Sequence, residues 1–436
     1  MSYKEERSKR TAWMMNDRLG LFIHWGLYAI PAIGEWKQSY ERIDTKDYKK
    51  YFYEFNPVDY DPVQWAKTAA RAGMKYAVLT AKHHEGFCLF DSAFTDFKST
   101  NTQCKRDLVR EYVNAFRAEG LKIGLYYSLF DWHHDDYPHY GDLYHPMRDN
   151  EAYKNHTYDF SKYLAYMHNQ IRELLTNYGK IDLFWFDNSY GNMVGEVWKA
   201  TELVTMMRAL QPDIILNNRL EVNASSRGSI DTEKPSAFSG DFVAPEQIVP
   251  PQGICDDSGA PLPWEANCTM NNNWGYVTGT ANYKSAKTLI RKLVECVSKG
   301  GNLLINVGPD ARGNIPAKSI EVMNRMAQWM TKYSDSIYGC TRSSFAKPEW
   351  GYYTQKDNTV YAHIFEQCIG PIPLQIPTDR IKSIHNMYDF SEVPIVRPWT
   401  TQLFPDYTFV NFGNPPQATF ELTDEIDTVL KIELET

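Results

Sequence analysis

The run Ile181-Asp182-Leu183-Phe184-Trp185-Phe186-Asp187 closes an apolar stretch on a carboxylate. An ionised group behind four apolar or aromatic residues is costly unless donors surround it. Asp187 is therefore either structural, capping the next helix or pairing with an arginine, or kept for chemistry. One chemistry that needs such a group is displacement at an acetal carbon. There an ionised carboxylate attacks while a proton-bearing carboxyl about 5–5.5 Å away serves the departing oxygen. Two residues could supply the second carboxyl: Glu246 in Ala244-Pro245-Glu246 and Glu265 in Pro263-Trp264-Glu265.

His83 and His84 offer a different chemistry, because imidazole is a common zinc ligand and a metal-dependent hydrolase is the natural rival. Their spacing argues against it. Neighbouring strand residues point to opposite faces, so two ligands on one face would read His-x-His, and that pattern does not occur in the sequence.

These residues need elements to hold them. From residue 19 to about 309 the chain alternates short apolar runs with helical periodicity, the pattern of βα units around a parallel sheet buried on both faces. Strands are expected at 21–25, 76–81, 122–127, 183–186, 214–217 and 303–307, and helices at 63–72, 108–118, 158–178, 197–210, 286–298 and 319–333. Gly73, Gly120, Gly179 and Gly300 fall where helix C-caps belong. With less regular segments near Asp241 and Trp264, the count reaches an eight-stranded (β/α)8-like barrel. In such a barrel, polar residues at the C-terminal ends of strands form the site. They are numerous here: His24-Trp25-Gly26, Lys82-His83-His84-Glu85, Tyr126-Tyr127-Ser128, Trp185-Phe186-Asp187-Asn188 and Asn217-Asn218-Arg219.

After residue 338 short alternating runs at 351–355, 359–365 and 428–433 predict a small β-sandwich over 339–436, leaving 1–338 to the barrel. The stretch 225–260, rich in Ser, Pro, Gly and Asp, is too long for an ordinary connection and reads as an active-site loop.

Composition narrows the partners. A net charge of −8 without a basic stripe argues against nucleic acid. No run of eighteen apolar residues suggests a membrane span, and the polar N-terminus lacks the apolar core of an export signal. Seven cysteines without CxxC pairs suit reduced thiols, so a cytoplasmic location is expected. The 29 Tyr, 21 Phe and 12 Trp exceed the needs of a core this size and supply faces on which sugars could pack.

The ordered motifs resemble one family. They are Leu19-Gly20-Leu21-Phe22-Ile23-His24-Trp25-Gly26, Gly34-Glu35-Trp36, Lys82-His83-His84-Glu85-Gly86-Phe87-Cys88, Lys105-Arg106-Asp107-Leu108, Gly124-Leu125-Tyr126-Tyr127-Ser128, Trp185-Phe186-Asp187, Trp274-Gly275-Tyr276 and Asn302-Leu303-Leu304-Ile305-Asn306-Val307-Gly308-Pro309. Together they are similar to the α-L-fucosidases of glycoside hydrolase family 29. The resemblance implies a barrel followed by a β-sandwich, no metal or other cofactor, and retaining hydrolysis of terminal α-L-fucosides on oligosaccharides or glycoconjugates. It further implies Asp187 as nucleophile. His24, Glu35, Trp36, His83, His84, Tyr126, Trp185 and Arg219 would hold the sugar, and Trp274 would pack on its C6 methyl. Glu246 follows Asp241-Phe242 as the family's acid/base Glu follows its Asp-Phe pair, with Glu265 as the alternative. Two departures stand out: Glu85 where the family commonly has Asp, and Lys37 where it has Tyr after Glu-Trp. The second bears on the rim and the aglycone. A homo-oligomer and transfer of fucose to a sugar acceptor are both compatible with this reading, and a catalytically dead fucose-binding protein is its remaining rival.

Overall fold

The computed structural model describes residues 2–222, 226–280, 282–411 and 421–435. Seven parallel strands form the central sheet: β1 Leu19–Ile23, β2 Tyr76–Lys82, β3 Lys122–Ser128, β4 Leu183–Asp187, β5 Ile215–Leu216, β6 Glu265–Thr269 and β7 Asn302–Val307. Their order is β5-β4-β3-β2-β1-β7-β6, which leaves β5 and β6 as edges.

Residues 241–247 join those edges. Asp241 N donates to Leu216 O at 2.7 Å, Val243 N to Pro263 O at 3.0 Å, Asn267 N to Pro245 O at 3.1 Å and Gln247 N to Asn267 O at 2.8 Å. With the parallel bridges Asn217–Phe242, Val243–Trp264 and Glu246–Asn267, the ring closes with eight members. Pro245 has no N–H, so the ladder through this segment is incomplete. Within the stretch 225–260 that reads as a loop, residues 241–247 are barrel wall, where a less regular strand segment is expected near Asp241. Ser225, the first residue of that stretch, lies outside the described residues.

Alternation along the strands sorts side chains into two cores. Phe22, Tyr76, Val78, Tyr126, Leu183, Trp185, Ile215, Phe242, Ala244 and Leu304 fill the barrel interior with Met14. Phe184, Phe186, Leu303 and Ile305 face the helices. Gly20 has no Cβ because the Tyr76 ring occupies that space. The helix Tyr3–Asp17 lies across the N-terminal end of the barrel, where the Asn302 amide donates to Met14 O at 2.7 Å and Arg10 pairs with Asp241 at 2.7 Å.

The expected helices form as Pro62–Arg71, Leu108–Ala118, Phe160–Asn177, Ala200–Leu210, Ala286–Ser298 and Ala317–Tyr333. The glycines assigned to their ends all take left-handed φ, from 73° at Gly179 to 87° at Gly73. Most boundaries shift by one or two residues, and two of the shifts have a visible cause. The first strand starts at Leu19 rather than 21, because Leu19 and Gly20 already pair with β7 before the chain turns away at His24. The helix expected from 197 is a 3-10 turn, Gly195–Trp198, broken from Ala200–Leu210 by Lys199 at φ 49°.

Beyond the barrel, β8 Thr341–Arg342, β9 Gly351–Lys356, β10 Thr359–Ile364, β11 Ile372–Leu374, β12 Ile381–Asn386, β13 Ile395–Val396, β14 Thr408–Val410 and β15 Thr428–Leu434 make antiparallel sheets of five and three strands. Val360, Ala362, Ile364, Leu430 and Ile432 pack inside this sandwich with Ile372, Leu374 and Val410. Alternate residues Tyr361 and Val429 join the barrel's helical core instead. On that face Thr354 Oγ1 donates to Ser336 O at 2.7 Å, pinning sheet to barrel, and His363 Nδ1 meets Asp427 at 2.6 Å within the sandwich. All seven cysteines are free thiols, and no helix among the described residues is long and apolar enough to cross a membrane.

Candidate active site

The C-terminal ends of the strands surround a pocket of about 400 Å³ lined by Phe22, His24, Glu35, Trp36, His83, His84, Tyr126, Trp185, Asp187, Asn188, Glu246, Asn267 and Trp274. The period of two explains much of that set. Leu183 and Trp185 point inward, so Asp187, the last residue of β4, does too. Phe242 and Ala244 do the same for Glu246 on the closing segment. Phe22 and His24 stand one above the other at the end of β1, their rings 4.4 Å apart.

Asp187 is ringed by donors. Tyr126 Oη donates to Oδ2 at 2.8 Å, Asn188 Nδ2 to the same oxygen at 3.3 Å, and Arg219 Nη1 to Oδ1 at 3.2 Å. Arg219, in the 3-10 turn Asn218–Leu220 after β5, is buried and lies 5.0 Å over the Trp185 ring. Its second terminal nitrogen reaches Glu246 Oε2 at 3.0 Å and Ala244 O at 3.0 Å. Burial pushes the Asp187 carboxyl up to about 6; Arg219 opposes the rise and the Glu246 charge adds to it. Glu246 keeps about a third of its side chain exposed, twice the fraction of Asp187, so it faces the mouth.

The histidines are held neutral. Burial drives His24 down to about 3 and pushes His83 and His84 well below the usual imidazole range. His24 Nδ1 donates to Asn306 Oδ1 at 2.7 Å, which leaves Nε2 as an acceptor. His84 Nδ1 donates to Ser128 Oγ at 2.7 Å, and its Nε2 accepts from Asn188 Nδ2 at 2.8 Å. His83 Nδ1 is buried with no partner among the described residues, a polar atom that a bound hydroxyl would satisfy. No group of three or more His, Cys, Asp or Glu among the described residues is arranged to hold a metal ion.

Glu35 reaches the pocket from the loop after β1. Its Oε2 accepts from Gly275 N at 2.9 Å, tying it to the loop that carries Trp274, and burial raises its pKa. The Trp274 ring sits 5.0 Å from His24 and 6.0 Å from Phe22, giving the pocket an apolar side.

Glu265 is elsewhere. As the first residue of β6 it lies level with Asn302 at the N-terminal end of the barrel, accepts from Tyr76 Oη and does not line the pocket. Burial pushes it up to about 7. Glu85, the residue that departs from the usual Asp, accepts from Leu27 N and Tyr48 Oη at 2.6 Å each and fixes the loop behind the histidines. Phe22 and Asn267 line the pocket without having been singled out from sequence, and Asn188, named there only as part of a polar strand end, joins them. Asn188 adopts a left-handed φ of 68°, which turns its amide back onto both Asp187 and His84.

A paired-carboxylate pocket at the C-terminal face of a barrel matches one family in sequence as well. The family model described as alpha-L-fucosidase matches residues 2–335. The chain belongs to glycoside hydrolase family 29, the α-L-fucosidases. This fucosidase is 55% identical to α-L-fucosidase isoenzyme 1 from Paenibacillus thiaminolyticus, which it matches with a TM-score of 0.95 over 99% of its own chain and 100% of the other. It is 29% identical over 354 residues to the plasma α-L-fucosidase of Homo sapiens, covering 75% of this chain and 69% of that one. A family 29 enzyme from Bacteroides thetaiotaomicron, solved as a trapped covalent intermediate with 2-fluoro-fucosyl fluoride in a Glu-to-Gln mutant, is 28% identical. Its TM-score is 0.81, over 98% of this chain and 96% of that one. The fucosidase is thus a glycoside hydrolase acting on fucosylated substrates.

Proposed function

We propose that this fucosidase cleaves terminal α-L-fucosides with retention of configuration, with Asp187 as nucleophile and Glu246 as acid/base. The observation that carries the reading is the Arg219 guanidinium touching both carboxylates at the base of the pocket. It stabilises the Asp187 anion, while Tyr126 and Asn188 order the oxygen on the other side.

In the first step an Asp187 oxygen bonds to the anomeric carbon as the glycosidic bond breaks. The bonding pair leaves on the aglycone oxygen, which takes the proton from Glu246. In the second, Glu246 accepts a proton from water, the water oxygen bonds to the anomeric carbon, and the ester bond to Asp187 breaks to restore the carboxylate. The trapped covalent intermediate of the Bacteroides enzyme supports this order of events.

Recognition follows from the walls. Neutral His24 offers its Nε2 and His83 its unpartnered Nδ1 to hydroxyls, His84 holds Asn188 in place beside them, and Glu35 accepts. Phe22 and Trp274 present an apolar side to a C6 methyl, where a C6 hydroxyl would lose its partners. No step calls for a metal, so chelator should leave turnover unchanged. The direct test is proton NMR of an aryl α-L-fucoside during its first minutes of hydrolysis. Retention releases α-L-fucose before mutarotation; β-L-fucose as first product would overturn the double displacement.

A further inference from the structure

We infer that Tyr40 is the platform of a second sugar subsite, the one that receives the residue to which fucose is linked. This rests on the glycosidase reading above. Trp36 lines the fucose pocket, and Tyr40, one helical turn on in Lys37–Tyr40, lies against it with ring centroids 5.8 Å apart and planes only 20° from parallel. On its pocket side Trp36 packs against His84 at 5.0 Å, and behind it stand Trp132 at 5.4 Å and Tyr144 at 5.5 Å. The rings His84, Trp36 and Tyr40 therefore make a column that begins inside the pocket and ends in solvent. Its last member is 74% exposed.

A single exposed tyrosine needs no explanation; one stacked on a pocket wall and held rigid does. The Ser39 hydroxyl donates to Tyr144 O at 2.7 Å, Arg148 Nη1 donates to Ser39 Oγ at 3.0 Å and Arg42 pairs with Asp149 at 2.6 Å, so the turn is stapled to the loop after β3. Lys37, where the family commonly has tyrosine, is held by Glu41 at 2.6 Å and keeps only 11% of its side chain exposed. The aromatic face at this rim thus comes from Tyr40 rather than from position 37. The ligand it fits is a pyranose with a face of C–H bonds, joined to fucose through the oxygen that Glu246 would protonate. The ring offers that face a stacking partner.

The test compares Tyr40→Ala and Tyr40→Phe on two substrates. One is α-L-fucosyl fluoride, whose leaving group has no contact to make outside the pocket. The other is whichever of the α1,2-, α1,3-, α1,4- and α1,6-linked fucosyl disaccharides the wild type turns over fastest. The expected result is that Tyr40→Ala lowers kcat/KM on the disaccharide by about 3- to 10-fold more than on the fluoride, with Tyr40→Phe close to wild type on both. Equal changes on the two substrates, or none on either, would overturn the subsite. So would loss of an oligomeric state in Tyr40→Ala by light scattering, which would mean that a second copy covers the ring. Failure of the wild type on both substrates would instead remove the functional reading on which the subsite rests.

Discussion

Arg219 bonds Asp187 through one terminal nitrogen at 3.2 Å and Glu246 through the other at 3.0 Å. The buried cation offsets the cost that burial imposes on an ionised Asp187 and at the same time reaches the glutamate at the pocket mouth.

The pH profile tests that role. On the proposed mechanism Asp187 must be ionised to attack, and burial pushes its pKa up to about 6, so kcat/KM should fall as the pH drops through that value. Arg219 opposes the rise that burial imposes, so Arg219→Met raises the Asp187 pKa further. The acid limb should move upward by roughly 1–3 pH units. A limb that stays in place or moves down in Arg219→Met, measured from pH 4 to 9, would separate the arginine from the nucleophile.

The two carboxylates should give opposite stereochemistry with azide. In Asp187→Gly the azide takes the nucleophile's place on the substrate, so the product is the inverted β-fucosyl azide. In Glu246→Ala it attacks the fucosyl-enzyme from the face that water uses, so the product is the α-fucosyl azide. Without azide, Asp187→Gly should lose roughly four or more orders of magnitude in kcat, by comparison with removal of other covalent nucleophiles. Product analysis by NMR decides, and an α-azide from both variants would defeat the assignment of Asp187.

Glu265 gives the complementary control. It sits at the far end of β6 from the pocket, bonded to Tyr76, so Glu265→Gln should keep turnover of an aryl fucoside within about an order of magnitude, as expected of a group outside the reacting atoms. A loss as large as that of Glu246→Ala, with azide rescue, would transfer the acid/base role to Glu265.

The difference between these two glutamates marks where sequence reading stops. Asp187 was legible because Leu183, Trp185 and Asp187 alternate along a strand whose direction the apolar run reveals. The barrel itself was legible for the same reason, in strand after strand. Glu246 and Glu265 looked alike because Pro245 and Pro263 interrupt both segments, and composition does not tell which end of a strand a residue occupies. Register settles that: Glu246 follows Phe242 and Ala244 to the C-terminal end, and Glu265 begins its strand at the other. Phe22 was hidden inside an apolar run that reads as core. Asn188 stands at a strand end that the sequence marks, but its role depends on a left-handed backbone that no neighbouring residue announces.

Buried titratable groups make the fold itself pH-sensitive, through two opposed sets. His24, His83, His84, His133, His139, His145 and His168 are all pushed below their ordinary value, chiefly by burial. The unfolded chain therefore takes up their protons first, near pH 6.5, and their contribution to stability is lost as the pH falls below that. Asp187, Glu85 and Glu265 are raised to about 6, 7 and 7. In them the folded state binds protons more tightly than the unfolded chain, so their contribution is lost as the pH rises through those values. Burial raises Glu35, Asp107, Asp142 and Asp427 as well, so seven histidines and seven carboxyls pull Tm in opposite directions as the pH falls. Replacing one opposing carboxyl isolates its share. In Glu265→Gln the cost of an ionised group beneath Trp185 is gone, so Tm of the variant minus wild type should be larger at pH 8 than at pH 5. A difference that shrinks from pH 5 to pH 8 in calorimetry would mean that Glu265 is already ionised in the fold at the lower pH.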